Sequence, residues 1–257
     1  MKLTSTQASN LTTISALLHG DSGIGKTTSA LTLPSDRTLL AIGERGTLPL
    51  RNSDYPVLQF NNWSEMQDVY RLFAFPDKIE DASLKSVIQR TRILFIDSLS
   101  ECSEMCMRHI VTVDRKKLTN ERTKGQRDAP IGIYEDQMTI DDWGLYGNRI
   151  QNMLSVFTRL PIHVIFTSLS KWSTDKQGGE TLRTPNLSGR MAQLCPAQFD
   201  LVLHMESDSE GKRTWRTFND GNVIAKDASG VLDPFEEANW TKLFTKILKG
   251  SSNAKAD

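Results

Sequence analysis

The sequence predicts an α/β fold with a mostly parallel central sheet flanked by helices and with antiparallel strands towards the C-terminus. Short apolar runs that suit buried strands alternate with amphipathic helical segments along the chain. A glycine-rich turn directly follows the first apolar run, and a later run ends in an acidic residue. Because no linker divides the 257 residues, we predict a single domain over 1–257, with flexible ends at 1–10 and 250–257.

The glycine-rich turn over 20–27 reads GDSGIGKT and matches the pattern G-x-x-x-x-G-K-[ST]. Glycine lets such a loop wrap closely, so that its backbone N–H groups can surround a triphosphate. Lys26 places an ammonium against the β- and γ-phosphates, and the Thr27 hydroxyl can ligate Mg²⁺. An apolar strand over 14–18 and helix-forming residues over 28–33 flank the turn. The predicted nucleotide-binding residues are Gly20, Asp21, Ser22, Gly23, Ile24, Gly25, Lys26, Thr27 and Thr28.

Two acidic residues follow predicted strands, where ligands of open α/β sheets gather. Asp97 ends the run RILFID, and this Walker B arrangement lets its carboxylate orient the metal together with Thr27. Glu44 follows the run over 37–42 and stands where a general base could activate water. From position alone, a surface carboxylate explains Glu44 equally well.

Composition limits the classes of partner. Lys and Arg together number 31, as do Asp and Glu, so any basic surface must be local. The three cysteines, Cys102, Cys106 and Cys195, are too few and too scattered for a disulfide framework, and we predict buried thiols rather than a metal site. We find no signal peptide and no apolar run of membrane length. The sequence therefore predicts a soluble cytoplasmic protein without a membrane partner.

Two basic stretches, over 108–127 and 171–190, are candidate sites for nucleic acid. Cations can neutralise phosphates, and a tryptophan among them can stack on bases. A solvated surface loop is the alternative for the first stretch, and a hairpin or lid whose tryptophan packs on the domain is the alternative for the second. The candidate DNA-binding residues are Arg115, Lys116, Lys117, Arg122, Lys124, Lys171, Trp172 and Arg183.

The remaining elements follow from hydrophobic periodicity and capping residues. Asn62 is a predicted helix cap, and Asp141 or Asp142 is predicted to cap a later helix. The polar tail Thr167-Ser168 of one strand lies where a γ-phosphate sensor belongs, and 171–190 is predicted as loop-like. Predicted strands cover 55–60, 163–168, 199–205 and 213–218, and predicted helices cover 63–73, 98–113, 143–159 and 239–248.

Five segments occur in a familiar order: HGDSGIGKT, LLAIGERG, ILFIDSLSE, VIFTSLSK and VIAKDASG. With them the chain resembles the RecA/Rad51-like P-loop ATPases over roughly 14–248. It is most similar to small bacteriophage nucleotide-binding proteins of the Sak4-type single-strand annealing group. The resemblance implies a RecA-like P-loop NTPase fold, with ATP and Mg²⁺ as cofactors.

The resemblance also implies roles for particular residues. Lys26 and Thr27 fall on the phosphate lysine and the Mg²⁺ hydroxyl, Asp97 on the Walker B carboxylate, and Glu44 on the water-activating glutamate. Lys226 matches a lysine that related ATPases place in the site of a neighbouring subunit. The two basic stretches correspond in position to the mobile DNA-binding loops of such proteins.

The function implied is slow, DNA-stimulated, Mg²⁺-dependent ATP hydrolysis in recombination or annealing of single-stranded DNA. The implied assembly is a ring or filament, and a single-strand-binding protein is a further partner that the resemblance allows. Two departures matter, since Ala228 stands where a relative has arginine, and the sensor strand ends in Thr-Ser-Leu rather than in Gln or His. The alternatives are a nucleotide-gated adaptor or loader with little hydrolysis and, less well matched, a small-molecule phosphotransferase.

Overall fold

The computed structural model describes residues 13–43, 47–114, 138–174 and 179–253. Glu44 lies outside the described residues, and so do both segments expected to be flexible, apart from 250–253. The same holds for the candidate DNA-binding residues of the first basic stretch, which are Arg115, Lys116, Lys117, Arg122 and Lys124. Predictions for these positions therefore stay predictions.

Ten strands form one sheet within the described ranges. The order along its main path is β10-β8-β7-β1-β5-β4-β2-β3, while β6 pairs with β5 and β9 with β7. The pairs from β7 to β3 along this path are parallel, and the pairs that involve β6, β8, β9 and β10 are antiparallel. The predicted fold class is thereby confirmed. The strands are β1 Ser15–Gly20, β2 Thr38–Ile42, β3 Val57–Gln59, β4 Ile93–Asp97, β5 His163–Thr174, β6 Glu180–Pro185, β7 Leu201–Ser207, β8 Arg213–Arg216, β9 Lys226–Asp227 and β10 Phe235–Glu237.

Helices cover both faces of this sheet, because successive residues of each parallel strand point to opposite sides. On β1, Leu17 packs with the helices α1 to α5, whereas Leu18 packs on the other face with α6. Trp215 and Trp240, with ring centroids 4.4 Å apart, fill the core on the α6 side. The helices are α1 Trp63–Ala74, α2 Ala82–Arg90, α3 Leu99–His109, α4 Ile140–Phe157, α5 Met191–Leu194 and α6 Trp240–Asn253.

The helix after the glycine-rich turn has the predicted length but begins one residue earlier and is more tightly wound than an α-helix. It is a 3₁₀ helix over Thr27–Thr32. The Ser29 hydroxyl donates to the Lys26 carbonyl at 2.6 Å and the Thr32 hydroxyl to the Ser29 carbonyl at 2.7 Å. Such side-chain bonds compete with regular helical bonding, and Pro34 then prevents continuation. The N-terminus of this short helix therefore contributes little dipole to a ligand.

Two further predictions need correction. The cap of α4 is Thr139, which accepts from the Asp142 N–H while the Asp142 carboxylate accepts from the Thr139 N–H, so Asp142 is the third residue of a capping box. The stretch 171–190 is not loop-like throughout, because β5 extends to Thr174 and pairs with β6 as an antiparallel hairpin, which confirms the hairpin alternative. The predicted cap at Asn62 is confirmed, as its side chain accepts from the Glu65 N–H at 3.0 Å.

The cysteines are buried thiols, as predicted. Burial raises the pKa of Cys106 to about 12 and raises the pKa of Cys102 and Cys195 as well, so all three are protonated at neutral pH. Within the described part of the chain, no helix has the length and apolar character needed to cross a membrane.

Candidate active site

The phosphate loop, residues 20–27, lies at the carboxyl end of β1, the strand between β5 and β7. A Cβ at Gly20 would come within 3.1 Å of the Met205 carbonyl oxygen and 3.2 Å of the Ile24 side chain. Gly23 and Gly25 have φ of 75° and 111°, which other residues rarely adopt. Close packing therefore requires glycine at position 20, and the backbone conformation requires it at positions 23 and 25.

Lys26 is buried at the centre of the phosphate loop. Its Nζ donates to the carbonyl oxygens of Gly20 at 3.0 Å and of Asp21 at 2.7 Å. These contacts hold the ammonium inside the turn, which is where a phosphate-binding cation is needed.

Asp97, at the end of β4, joins the phosphate loop to the neighbouring strand. Its Oδ2 accepts from the Thr27 hydroxyl at 2.5 Å, and its Oδ1 accepts from the Thr167 hydroxyl on β5. The carboxylate is buried, with 4% of the residue exposed. A hydroxyl and a carboxylate form the hard oxygen donor set that Mg²⁺ prefers, so these residues fit that ion. The structure thus brings together the two predicted metal-binding residues.

A cavity of about 140 Å³ lies between the phosphate loop and Asp97. Three of the lining residues are not among the predicted site residues, although each comes after a predicted strand in the sequence. They are Pro49 after β2, Ser98 after β4 and Leu169 within the extension of β5. The predicted residues that line the cavity are Ser22, Gly23, Gly25, Lys26, Thr27, Thr28 and Asp97.

The hydroxyls of the predicted sensor strand point to partners within the protein. Thr167 donates to Asp97, and the Ser168 hydroxyl lies 3.0 Å from that of Ser100 on α3. The Ser100 hydroxyl also accepts from the Leu169 N–H at 3.0 Å. These bonds fix the middle of β5 relative to Asp97 and α3.

Two buried histidines stand beside the phosphate loop and were missed by sequence analysis. His19 directly precedes Gly20, and its ring centroid is 4.7 Å from that of His204 on β7. His19 Nε2 donates to the Ile224 carbonyl at 2.7 Å, so its Nδ1 accepts from the Ser170 hydroxyl at 2.8 Å. Burial, then the charge of His204, lowers the pKa of His19 to about 3, and burial with the nearby Arg183 lowers the pKa of His204 to about 4. Both rings are therefore neutral at pH 7.

The β5–β6 hairpin, with its predicted DNA-binding residues, packs on the domain. Lys171 donates to the Leu187 carbonyl, and partial burial lowers its pKa. Arg183 forms an ion pair with Asp21 of the phosphate loop, and its guanidinium carbon lies 5.3 Å from the centroid of the Trp172 ring. Trp172 remains 43% exposed. A role of these residues in DNA binding stays a prediction.

Lys226 is not brought to the phosphate loop of its own chain. It lies in β9, which pairs with the first residues of β7, whereas the loop borders the other end of β7 at Met205. Its Nζ donates to the Phe199 carbonyl at 2.7 Å. The predicted role of Lys226 in a neighbouring subunit stays a prediction.

Arg213, which begins β8, is a further residue that sequence analysis missed. Its guanidinium lies against Gly25, where an added Cβ would come within 2.7 Å of the guanidinium carbon. Because β8 runs antiparallel to β7, its first residue lies at the edge of the sheet that carries the phosphate loop. This topology could have been anticipated only from the strand order.

Comparison with known families agrees with this geometry. The family model described as AAA domain matches residues 12–229, which is most of the chain. The chain belongs to the AAA domain family. This membership indicates a P-loop NTPase-like fold and nucleotide-binding ATPase activity. A comparison with curated proteins gives no match.

Proposed function

We propose that the protein is a Mg²⁺-dependent, RecA-like ATPase that acts on single-stranded DNA in recombination or annealing and assembles as a ring or filament. The observation that carries the enzymatic part is the contact between the Thr27 hydroxyl and the Asp97 carboxylate at 2.5 Å, beside the buried Lys26. A phosphate-binding loop and a metal-binding carboxylate from separate strands thus form one pocket.

Each residue that the proposal uses has a distinct role. The N–H groups of the phosphate loop bind phosphate oxygens, and Lys26 exchanges its bonds to loop carbonyls for bonds to the β- and γ-phosphates. Thr27 and Asp97 would hold Mg²⁺, which when bound would offset the negative charge of the phosphates. Glu44, which follows β2 by two residues in the sequence, would accept a proton from the attacking water.

Phosphate release from ATP, with and without Mg²⁺, tests the enzymatic part. We expect Thr27→Val to lower the rate at least tenfold because the metal loses a ligand. Thr245→Val makes the same chemical change on the exposed side of α6 and should leave the rate unchanged. Equal rates in wild type and Thr27→Val would contradict the proposed metal site.

The DNA and assembly parts are supported by the order of the motifs and by the half-exposed Trp172 among the cations of the β5–β6 hairpin. Titration of a fluorescent oligonucleotide should give binding that weakens as salt rises, with a shallower slope after charge reversal at Lys116 and Lys117.

An ATP analogue with Mg²⁺ should increase the assembly size, and Lys226→Ala should reduce that increase. A gel-filtration profile that the analogue leaves unchanged would contradict assembly driven by nucleotide.

A nucleotide-gated adaptor with little hydrolysis is the second candidate. It is favoured by the inward hydrogen bonds of Thr167 and Ser168, which leave these hydroxyls engaged with Asp97 and Ser100 rather than directed at a γ-phosphate. Turnover in wild type that is lost in Glu44→Gln, with ATP binding retained, would exclude the adaptor.

A further inference from the structure

The phosphate loop contains one acidic residue, Asp21, directly after Gly20. Its backbone carbonyl lies 2.7 Å from Lys26 Nζ, the group that pairs with the β- and γ-phosphates. Asp21 is thus part of the loop that would bind the triphosphate, and its exposed carboxylate adds a negative charge to that loop. Like charges repel, so a negative charge on this loop opposes the binding of a triphosphate unless the carboxylate is neutralised.

Arg183 of β6 supplies the opposite charge. Its Nη2 is paired with Asp21 Oδ1, and the two residues are separated by 162 positions in sequence. The Arg183 side chain is 21% exposed and that of Asp21 56% exposed. A pair this accessible contributes little to folding stability. The ion pair instead changes the net charge of the phosphate loop, which influences the binding of a phosphate group.

The position of Arg183 is fixed from several directions. Its backbone N–H donates to the Asn222 carbonyl at 2.6 Å, and its carbonyl accepts from the Ile224 N–H at 2.9 Å. The Trp172 ring covers its guanidinium, and its Nε is buried without a hydrogen-bond partner among the described residues. A cation held by backbone bonds and an aromatic ring is preorganised for one partner.

We infer that Arg183 is a positioning residue of the nucleotide site, which neutralises Asp21 so that the phosphate loop accepts a nucleoside triphosphate. This inference rests on the proposed triphosphate site. It assigns Arg183 to the nucleotide rather than to DNA, and it makes the β5–β6 hairpin part of the phosphate-binding structure.

The test is a double-mutant cycle on the affinity for MgATP, measured by titration calorimetry. We expect Arg183→Gln to weaken binding about five- to tenfold because the Asp21 charge is then uncompensated. Asp21→Asn should bind at least as tightly as wild type, and the double variant should return to within about twofold of Asp21→Asn. The loss in Arg183→Gln should shrink at about 1 M salt, because exposed charges are then screened.

Two further variants serve as controls. Arg71→Gln breaks an exposed ion pair with Asp68 on α1, whose buried face packs on the side of the sheet away from the phosphate-loop helix, and should leave affinity unchanged. Arg183→Lys keeps the charge but loses the guanidinium that stacks on Trp172, so its loss of affinity should be smaller than that of Arg183→Gln without vanishing. Unfolding without nucleotide, followed by tryptophan fluorescence, should show similar stability for all variants.

Three results would overturn the inference while leaving ATP binding intact. They are an Arg183→Gln affinity equal to wild type, a double variant as weak as Arg183→Gln, and an Arg183→Lys loss as large as that of Arg183→Gln. If Arg183→Gln weakened oligonucleotide binding but left the affinity for MgATP unchanged, the inference would also be overturned. Wild-type protein that fails to bind MgATP would instead contradict the proposed function itself.

Discussion

Mild acid should destabilise the protein through its buried histidine pair. His19 and His204 have pKa values of about 3 and about 4 in the folded protein, against 6.5 for an accessible imidazole. Protons therefore bind the unfolded chain preferentially once the pH falls below the unfolded value, and stability is lost progressively down to the folded pKa values. A histidine with an anionic partner would have the opposite effect, because it stabilises the folded protein as the pH falls.

The size of the effect follows from linkage. Between about pH 7.5 and 5.5 both rings stay neutral in the folded protein, whereas they take up protons in the unfolded chain. Each ring therefore lowers the free energy of unfolding by about 1.4 kcal/mol over this range, and the pair lowers it by about 3 kcal/mol. Partial burial also lowers the pKa of His163, which adds in the same direction. Carboxylates with lowered pKa, such as Asp81 and Asp220, start from an ordinary value of 3.8, so they lose their contribution only in stronger acid.

Urea unfolding followed by tryptophan fluorescence measures this loss at the two pH values and constant ionic strength. Wild type should lose about 3 kcal/mol of unfolding free energy, and His204→Gln should lose about half as much because one titrating ring is gone. If wild type lost no stability over this window, or if His204→Gln lost as much as wild type, the reasoning would be refuted.

Two substitutions test the packing around the site. Gly43→Ala should destabilise by about 1–3 kcal/mol, because its Cβ would lie 2.5 Å from the buried ring of Phe60, whereas Gly144→Ala on an open face of α4 should stabilise by about 0.5–1 kcal/mol. Thermal unfolding measures the change in stability of each variant, and two changes in the same direction would contradict the packing argument. Trp240→Ala should cost about 3–5 kcal/mol, since the ring is buried and its Nε1 donates to the Ser29 hydroxyl at 3.0 Å. Urea unfolding measures that cost, and a loss under about 1 kcal/mol would show that α6 does not anchor the phosphate-loop helix.

The phosphate loop and the Asp97 strand could be predicted because local sequence determines both. The motif specifies its own backbone conformation at Gly23 and Gly25, and the apolar run before Asp97 is long enough to define a buried strand. Asn62 was predictable as a cap because its bond is to an N–H three residues away. Such features need no knowledge of the strand order.

The features that were missed depend on contacts between distant parts of the chain. The pairing of His19 with His204 and of Asp21 with Arg183 follows from β1 lying between β5 and β7, which no local pattern reveals. For the 171–190 stretch the sequence predicts a loop with a hairpin only as the alternative, because its charges and glycines hide the alternation of the two strands. At α4, the choice of Asp141 or Asp142 as cap overlooked that Thr139 with an acid three residues later is itself a capping signal.

The central claim is that a triphosphate and its metal lie between the phosphate loop and Asp97. The most direct test is the Mg²⁺ dependence of ATP binding in wild type and Asp97→Asn. We predict that Mg²⁺ tightens binding to wild type and that this gain falls about 10- to 100-fold in Asp97→Asn, while metal-free ATP binds both proteins similarly. An identical gain from Mg²⁺ in the two proteins would contradict the claim.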